Sequence, residues 1–362
     1  MKKVLFLVND DNGLYKFRKE LVETLLEKGY QVTISSPFGT RIHHFLEKGS
    51  IFRECPINRR GRNPFEDFKL LCHYWKLLKK IKPDVVLTYT IKPNIYGGIA
   101  CRFQQIPYAA NITGLGTALE NEGWLQKITV QLYKIAFKKI NYIFFQNEEN
   151  KVFFNKKIPI SGQQVLLPGS GVNLLNHSLL DFPNNSTNEF IFIGRLMKEK
   201  GINEYLEAAK VIKERYPNTK FHICGSFEEN YGEIISSLQE KGIVEYHGEV
   251  DNIQDYLKRV HCTIHPSFYP EGMSNVLLES SASGRPIITV NRSGCREIVD
   301  EGKNGYFVRP KDSKDLINTI EKFINLNEGE KKNMGLYGRV KVEKSFSREI
   351  VVKKYLEAIE ST

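Results

Sequence analysis

Short apolar runs recur along this chain, each followed by a stretch of helical periodicity, and that alternation leaves few folds open. After Lys3, the run Lys3-Val-Leu-Phe-Leu-Val8 has no polar side chain to face water, so it reads as a strand buried on both faces. A turn Asn9-Asp-Asp-Asn-Gly13 follows, then an amphipathic helix over 15–28 and a second strand over 29–35. Helices are predicted over 65–81, 94–104 and 124–138, with strands over 85–90, 108–112 and 142–146. A second series of strands starts at Phe190-Ile-Phe-Ile-Gly194 and continues over 220–225, 244–248, 262–265 and 286–290. Such alternation builds parallel sheets covered by helices on both faces, with ligands at the strands' carboxyl ends. The polar, turn-rich Asp181-Phe-Pro-Asn-Asn-Ser-Thr-Asn188 between the two series reads as the linker. The fold class is therefore α/β, two doubly wound (Rossmann-like) domains facing a cleft.

Composition excludes several other classes. With 362 residues, 41% hydrophobic and 26% charged, the chain can bury two cores. Cys55, Cys72, Cys101, Cys224, Cys262 and Cys295 are scattered without a CxxC or Cys/His cluster, which argues against zinc and against a disulfide framework. No apolar run reaches membrane-spanning length, and the five apolar residues after Lys3 are too few for a signal peptide. The protein is expected in the cytoplasm. Residues 1–170 hold 26 Lys and Arg against 14 Asp and Glu, a net +12, while the whole chain is +10. The basic half suits an anionic membrane surface, and no nucleic-acid-binding motif accompanies it.

The most informative stretch runs from His265 to Gly284. Pro270 and Gly272 interrupt it, and Ser274 and Asn275 are good N-caps, so a helix is predicted over 275–282 after a strand ending at His265. The backbone amides of Gly272, Met273, Ser274 and Asn275 would then point outward at the positive end of the helix, a place for phosphate. Glu271 and Glu279 flank it. Glu279 lies between Val276-Leu277-Leu278 and the small residues of Ser280-Ser-Ala-Ser-Gly284, which is not the composition of a solvated face. A nucleotide sugar fits such a site, with diphosphate on the amides and the two carboxylates on hydroxyls.

Glu271 and Glu279, seven residues apart between them, resemble the Glu-x7-Glu motif of retaining GT-B glycosyltransferases of family four. Gly194-Arg195-Leu-Met-Lys-Glu-Lys200-Gly201 resembles the family's Gly-Arg-x4-Lys-Gly loop, whose cations clasp the donor diphosphate. Pro168-Gly-Ser-Gly-Val-Asn173, Asn291-Arg-Ser-Gly-Cys-Arg-Glu297 and Asn304-Gly-Tyr-Phe-Val308 resemble further family segments, so the likeness covers most of 168–310. In the N-terminal half, Asn58-Arg-Arg-Gly-Arg-Asn-Pro64, the segment from Pro83 through Lys92 to Gly97, Asn111-Ile-Thr-Gly-Leu-Gly116 and Phe145-Gln-Asn-Glu-Glu149 resemble bacterial surface-polysaccharide transferases acting on lipid-linked sugars. Many of these carry a His where this chain has Thr113-Gly114, so a His-based role is not carried over.

The resemblance implies an acceptor domain over 1–175, a nucleotide-sugar domain over 176–345 and a C-terminal helix over 346–362 packing back on the first. It implies transfer of an N-acetylhexosamine or hexuronic acid, with retained configuration, from a UDP-sugar to a polyprenyl-diphosphate-linked saccharide. Arg195 and Lys200 would stabilise the departing diphosphate, Glu271 would position the sugar and Glu279 the ribose; Gly13, Gly194, Gly272, Met273, Ser274 and Asn275 would line the donor, and Lys92, Asn111 and Thr113 the acceptor. No metal cofactor is expected. A sugar-nucleotide epimerase of the same fold would share the carboxylates but act without an acceptor, and a non-enzymatic basic membrane-binding protein would not need the four charged residues together. Lys127, Gln131, Lys134 and Lys138 share one face of the helix predicted over 124–138, with Trp124, Leu125, Ile128, Leu132 and Ile135 beside it, and Arg59, Arg60 and Arg62 form a second basic loop. Together these predict a peripheral position at the inner face of the cell membrane.

Overall fold

The apolar runs become two parallel sheets in a computed structural model that describes residues 1–58, 61 and 63–362. Arg59, Arg60 and Arg62 lie outside the described residues. Strands β1 (Lys3–Leu7), β2 (Gln31–Ser36), β3 (Ile51–Glu54), β4 (Val85–Tyr89), β5 (Tyr108–Ile112), β6 (Tyr142–Phe145) and β7 (Gln163–Leu166) pair in the order β3-β2-β1-β4-β5-β6-β7. Strands β8 (Asn188–Ile193), β9 (Thr219–Cys224), β10 (Glu245–Tyr246), β11 (Cys262–His265), β12 (Ile287–Val290) and β13 (Gly305–Val308) pair in the order β10-β9-β8-β11-β12-β13. Both are doubly wound sheets. The chain reverses direction across the sheet between β1 and β4 in one and between β8 and β11 in the other, and crevices for ligands open at such switch points.

The chain divides into two compact units. The first comprises Met1–Ser170, Pro270–Met273 and Arg348–Thr362, and the second Gly171–Tyr269 and Ser274–Ser347. Each has its own core: Leu5, Leu7, Val86 and Tyr108 are among those buried in the first, Phe190, Phe192, Ile223 and Ile264 in the second. Every such side chain withdrawn from water contributes roughly 1.5–3 kcal/mol. Asp181–Asn188, expected as a linker, belongs to the second unit. The buried Arg285 guanidinium donates to the Asp181 carbonyl at 2.7 Å, and Asn188 already begins β8.

Helix starts follow their caps. The first helix runs Asp11–Glu27, four residues earlier than its apolar pattern predicts, because Asp10 caps it by accepting from the Gly13 amide. In the first unit the helix Arg348–Glu360 packs its Tyr355 ring on Phe144, centroids 4.4 Å apart, and Arg348 pairs with Glu20 at 2.7 Å. Arg18 is buried between the Tyr89 and Tyr355 rings, 5.3 Å from each centroid.

Candidate active site

In the second unit, β8 delivers the chain to Gly194 and Arg195 at its carboxyl end, beside the switch point. Gly225, at the end of β9, comes so close that a Cβ there would stand 1.8 Å from the Gly194 carbonyl oxygen, so the strand ends tolerate no side chain at that position. The loop closes through the 3₁₀ turn Lys198–Lys200 and Gly201, whose φ is 78° and whose added Cβ would meet the Pro266 carbonyl at 2.3 Å. That close approach seats the loop on the segment following β11, where the Glu199 carbonyl accepts from the Phe268 amide.

Two cations converge there. The Arg195 guanidinium lies 5.6 Å, and the Lys200 ammonium 5.2 Å, from the centroid of the Tyr269 ring. The ring's negative face holds both. Arg195 also pairs with Glu228 at 3.3 Å. Burial, and then the Arg195 charge, lower the Lys200 ammonium from the usual lysine range to about 8. The neighbouring His265 is buried and lowered to about 3, chiefly by burial and then by Lys200, so it is a neutral imidazole at physiological pH. A desolvated ammonium beside a second cation is a site that an anion stabilises.

The helix predicted over 275–282 runs Asn275–Ala282, with Ser274 at its N-cap. One expected amide is spent: Ser274 donates to the Gly294 carbonyl at 2.8 Å, so it does not point outward. The Glu297 carboxylate in turn accepts from the Gly294 amide at 2.7 Å and from the Ser293 hydroxyl at 3.1 Å, which fixes the turn behind the helix start. Glu279 is half-buried, and its Oε1 lies 3.9 Å from His177 Nε2. Sequence reasoning gave no role to Tyr269, Glu228, His177 or Glu297. Of these, Tyr269 carried a signal as an aromatic residue directly before Pro270-Glu271, and Glu297 ended one of the family-like segments.

The first unit holds the other expected residues. Gly272 is wedged against Gln146 and Thr113, whose carbonyl oxygen would stand 2.5 Å from an added Cβ. Asn147 donates to the Gly272 carbonyl at 2.6 Å and to that of Glu271 at 3.3 Å, so this amide sets the backbone that carries Glu271. Met273 is buried and Thr113 is exposed. Lys92 pairs with Asp67 at 2.7 Å and lines a cavity of about 690 Å³ with Phe38, Ile57, Leu70 and His73.

Two expected ligand residues serve the fold instead. Asn111 is buried, donating to the Thr88 carbonyl at 3.0 Å and accepting from the Tyr355 hydroxyl, so its amide is turned into the core rather than toward an acceptor. Gly13 lies in the first helical turn, its amide donating to Asp10 rather than to a phosphate.

Comparison with known proteins settles the family. Residues 181–341 match the family model Glycosyl transferases group 1, which takes in the whole second sheet, and residues 3–147 match Glycosyl transferase 4-like, which takes in β1 to β6 of the first. The chain is a glycosyltransferase of the GT-B fold, with a group 1 domain and a 4-like domain. This glycosyltransferase is 24% identical to the Campylobacter jejuni N,N'-diacetylbacillosaminyl-diphospho-undecaprenol alpha-1,3-N-acetylgalactosaminyltransferase, over 98% of this chain and 97% of that one. It is 27% identical to the Staphylococcus aureus capsular polysaccharide biosynthesis glycosyltransferase CapM, over 100% and 97% respectively. In fold it is similar to Anabaena HepE in complex with UDP, with a TM-score of 0.80, 14% identity and full coverage of both chains. A glycosyltransferase from Rickettsia africae superposes with a TM-score of 0.81 at 19% identity, over 99% and 98% of the two chains.

Proposed function

We propose that this glycosyltransferase moves an N-acetylhexosamine or a hexuronic acid, with retained anomeric configuration, from a UDP-sugar to a lipid-diphosphate-linked saccharide of a bacterial surface glycan. The convergence of Arg195 and the desolvated Lys200 on Tyr269 carries the reading, because it is a preformed place for the charge that develops on a departing diphosphate. Departure breaks the bond between the anomeric carbon and the β-phosphate oxygen, and the acceptor hydroxyl oxygen forms the new one as its proton passes to the departing diphosphate. The Gly194 and Gly201 turns present the cations, and the start of the helix Asn275–Ala282 adds its dipole. Glu279 holds the ribose hydroxyls and Glu271 the transferring sugar. With two protein cations at the diphosphate, transfer needs no metal there. The cavity beside Lys92 takes part of the acceptor saccharide.

The named activities of the Campylobacter relative, and the UDP held by HepE, support this choice of acceptor and nucleotide. The test incubates the purified protein with UDP-sugars and undecaprenyl-diphosphate-linked saccharides and follows UDP release and product mass. A product heavier by one sugar is expected only when both substrates are present. Conversion of the donor sugar without acceptor would establish an epimerase and overturn the reading.

The first unit also supports a position at the membrane. On the helix Trp124–Phe137, Thr129, Val130, Tyr133, Ala136 and Phe137 face the core, while Trp124 is 70%, Ile128 49% and Ile135 43% exposed. The outward face therefore mixes apolar side chains with Lys127, Lys134 and Lys138 rather than being a purely solvated stripe. Phe65 and Phe68, in the first turns of the helix Pro64–Ile81, are exposed as well. Among the described residues no helix is long and apolar enough to cross a membrane. Aromatic insertion with about 1 kcal/mol per lysine near an anionic surface gives reversible binding instead. The protein should float with phosphatidylglycerol vesicles at low salt, and Lys127→Glu/Lys134→Glu/Lys138→Glu or Trp124→Ala should weaken this at least tenfold. Failure of the wild type to float would remove the membrane from the proposal and favour a soluble acceptor.

A further inference from the structure

Outside the candidate active site, the edge of the second sheet gathers three ligand-type side chains that are far apart in sequence. Glu245 on β10 stands opposite His222 on β9 in the parallel register, and His247 follows two residues later, its amide donating to the Ile223 carbonyl at 2.9 Å. The two-residue strand period puts Glu245 and His247 on one face. His222 Nδ1 lies 3.1 Å from His247 Nε2 and 3.4 Å from Glu245 Oε2, and the three ligand atoms all lie within 4.8 Å of one another. Zinc bonds of about 2.1 Å to N and O place tetrahedral ligand atoms about 3.4 Å apart, so two of the three spacings already suit a shared ion.

The far nitrogen of His222 strengthens the case. Its Nε2 is 2.9 Å from the Glu189 carboxylate on the adjacent β8, and both residues are buried. A carboxylate on one ring nitrogen holds the proton there and leaves the lone pair of the other, Nδ1, aimed at the cluster, which is how histidines that bind metals are oriented. Glu245 is exposed, so the group opens to solvent and leaves a fourth position for water.

We propose that His222, Glu245 and His247 form a divalent transition-metal site, with zinc the ion best matched to two imidazoles and a carboxylate, and that the ion staples the short edge strand β10 to β9. Two imidazoles and one carboxylate with an open position suit zinc, cobalt or nickel rather than calcium or magnesium, which take oxygen ligands. Tying down β10 also guards an edge that is only two residues long. Nearby, the Tyr256 ring lies 4.7 Å from His247 and carries the Arg259 guanidinium, whose charge opposes a cation at the cluster.

The test uses the full chain after dialysis against EDTA. Calorimetry with zinc sulfate should give one site with a dissociation constant of about 10 µM or tighter, and zinc at 100 times that concentration should raise the melting temperature by about 5 °C. Cobalt(II) should give the visible absorption of a four-coordinate ion. His247→Gln and Glu245→Gln should each weaken zinc at least tenfold while the circular dichroism stays native. His44→Gln, which removes a different histidine paired with glutamate at 2.8 Å, should change nothing. Absence of zinc heat in the wild type, or undiminished one-site binding in His247→Gln, overturns the proposal.

Discussion

Lys200→Ala is expected to lower kcat by about a hundredfold or more, and Arg195→Ala by a comparable factor, with circular dichroism close to wild type and no loss of melting temperature. Removing one preorganised partner of a transition-state charge typically costs that much. Neither side chain holds the core, since both are half-buried and meet at the Tyr269 ring. Lys200 carries a second signature. Its folded pKa of about 8 against 10.5 for a free lysine means that burying the charge costs the folded protein roughly 3 kcal/mol, present below pH 8 and relieved as pH rises from 8 toward 10.5. A diphosphate offsets that cost only while the ammonium is charged. UDP affinity measured by calorimetry should therefore be highest below pH 8, fall as pH rises through it by at most tenfold per unit, and lose this dependence in Lys200→Ala. Wild-type turnover in Lys200→Ala and Arg195→Ala, or a flat wild-type profile between pH 7 and 9, would remove the diphosphate assignment.

Gly201→Ala should destabilise the second unit by about 3 kcal/mol or more, because two penalties act together. A non-glycine residue at φ 78° costs about 1–3 kcal/mol, and the new Cβ would stand 2.3 Å from a backbone oxygen of Pro266 that has no free rotation to escape it. For a unit of this size that is a fall of roughly 6–12 °C in calorimetric melting temperature. Donor affinity should fall with it, since the loop that carries Lys200 must move away from the segment after β11. Gly232→Ala is the control: nothing lies within 4 Å of its added Cβ at the start of the helix Gly232–Glu240, so stability should rise by about 0.4–1 kcal/mol. Equal melting temperatures for the two variants would show that the loop is not seated as described.

Local pattern determined most of the segments that became strands, and with them the two parallel sheets. Runs such as Val4–Leu7 and Phe190–Ile193 have no polar side chain to expose, so burial on both faces was their only stable state. It also placed the helix Asn275–Ala282 and the loop from Gly194 to Gly201, because caps, glycines and prolines act within a few residues. Strands β3, β7 and β13 were not read from the sequence: β3 and β7 lie at the edges of the first sheet with side chains only partly buried, so their apolar signal is weak, and β13 is a four-residue strand that begins with a glycine.

Contacts between distant residues were decided only by the tertiary structure. The amide of Ser274 met the Gly294 carbonyl, and Asn111, a polar residue at a strand's carboxyl end, met Tyr355 from 244 positions away and was drawn into the core. Tyr269 gained its place beneath Arg195 and Lys200 because β8 and β11 are adjacent in the sheet though separated in sequence. His222 and Glu245 meet through the β9–β10 register, with His247 joining them and Glu189 approaching from β8. No spacing in the sequence encodes that meeting. Short-range rules carry the choice of helix, strand and turn, whereas the partner of a polar or charged group depends on which strands become neighbours, and only the folded sheet supplies that.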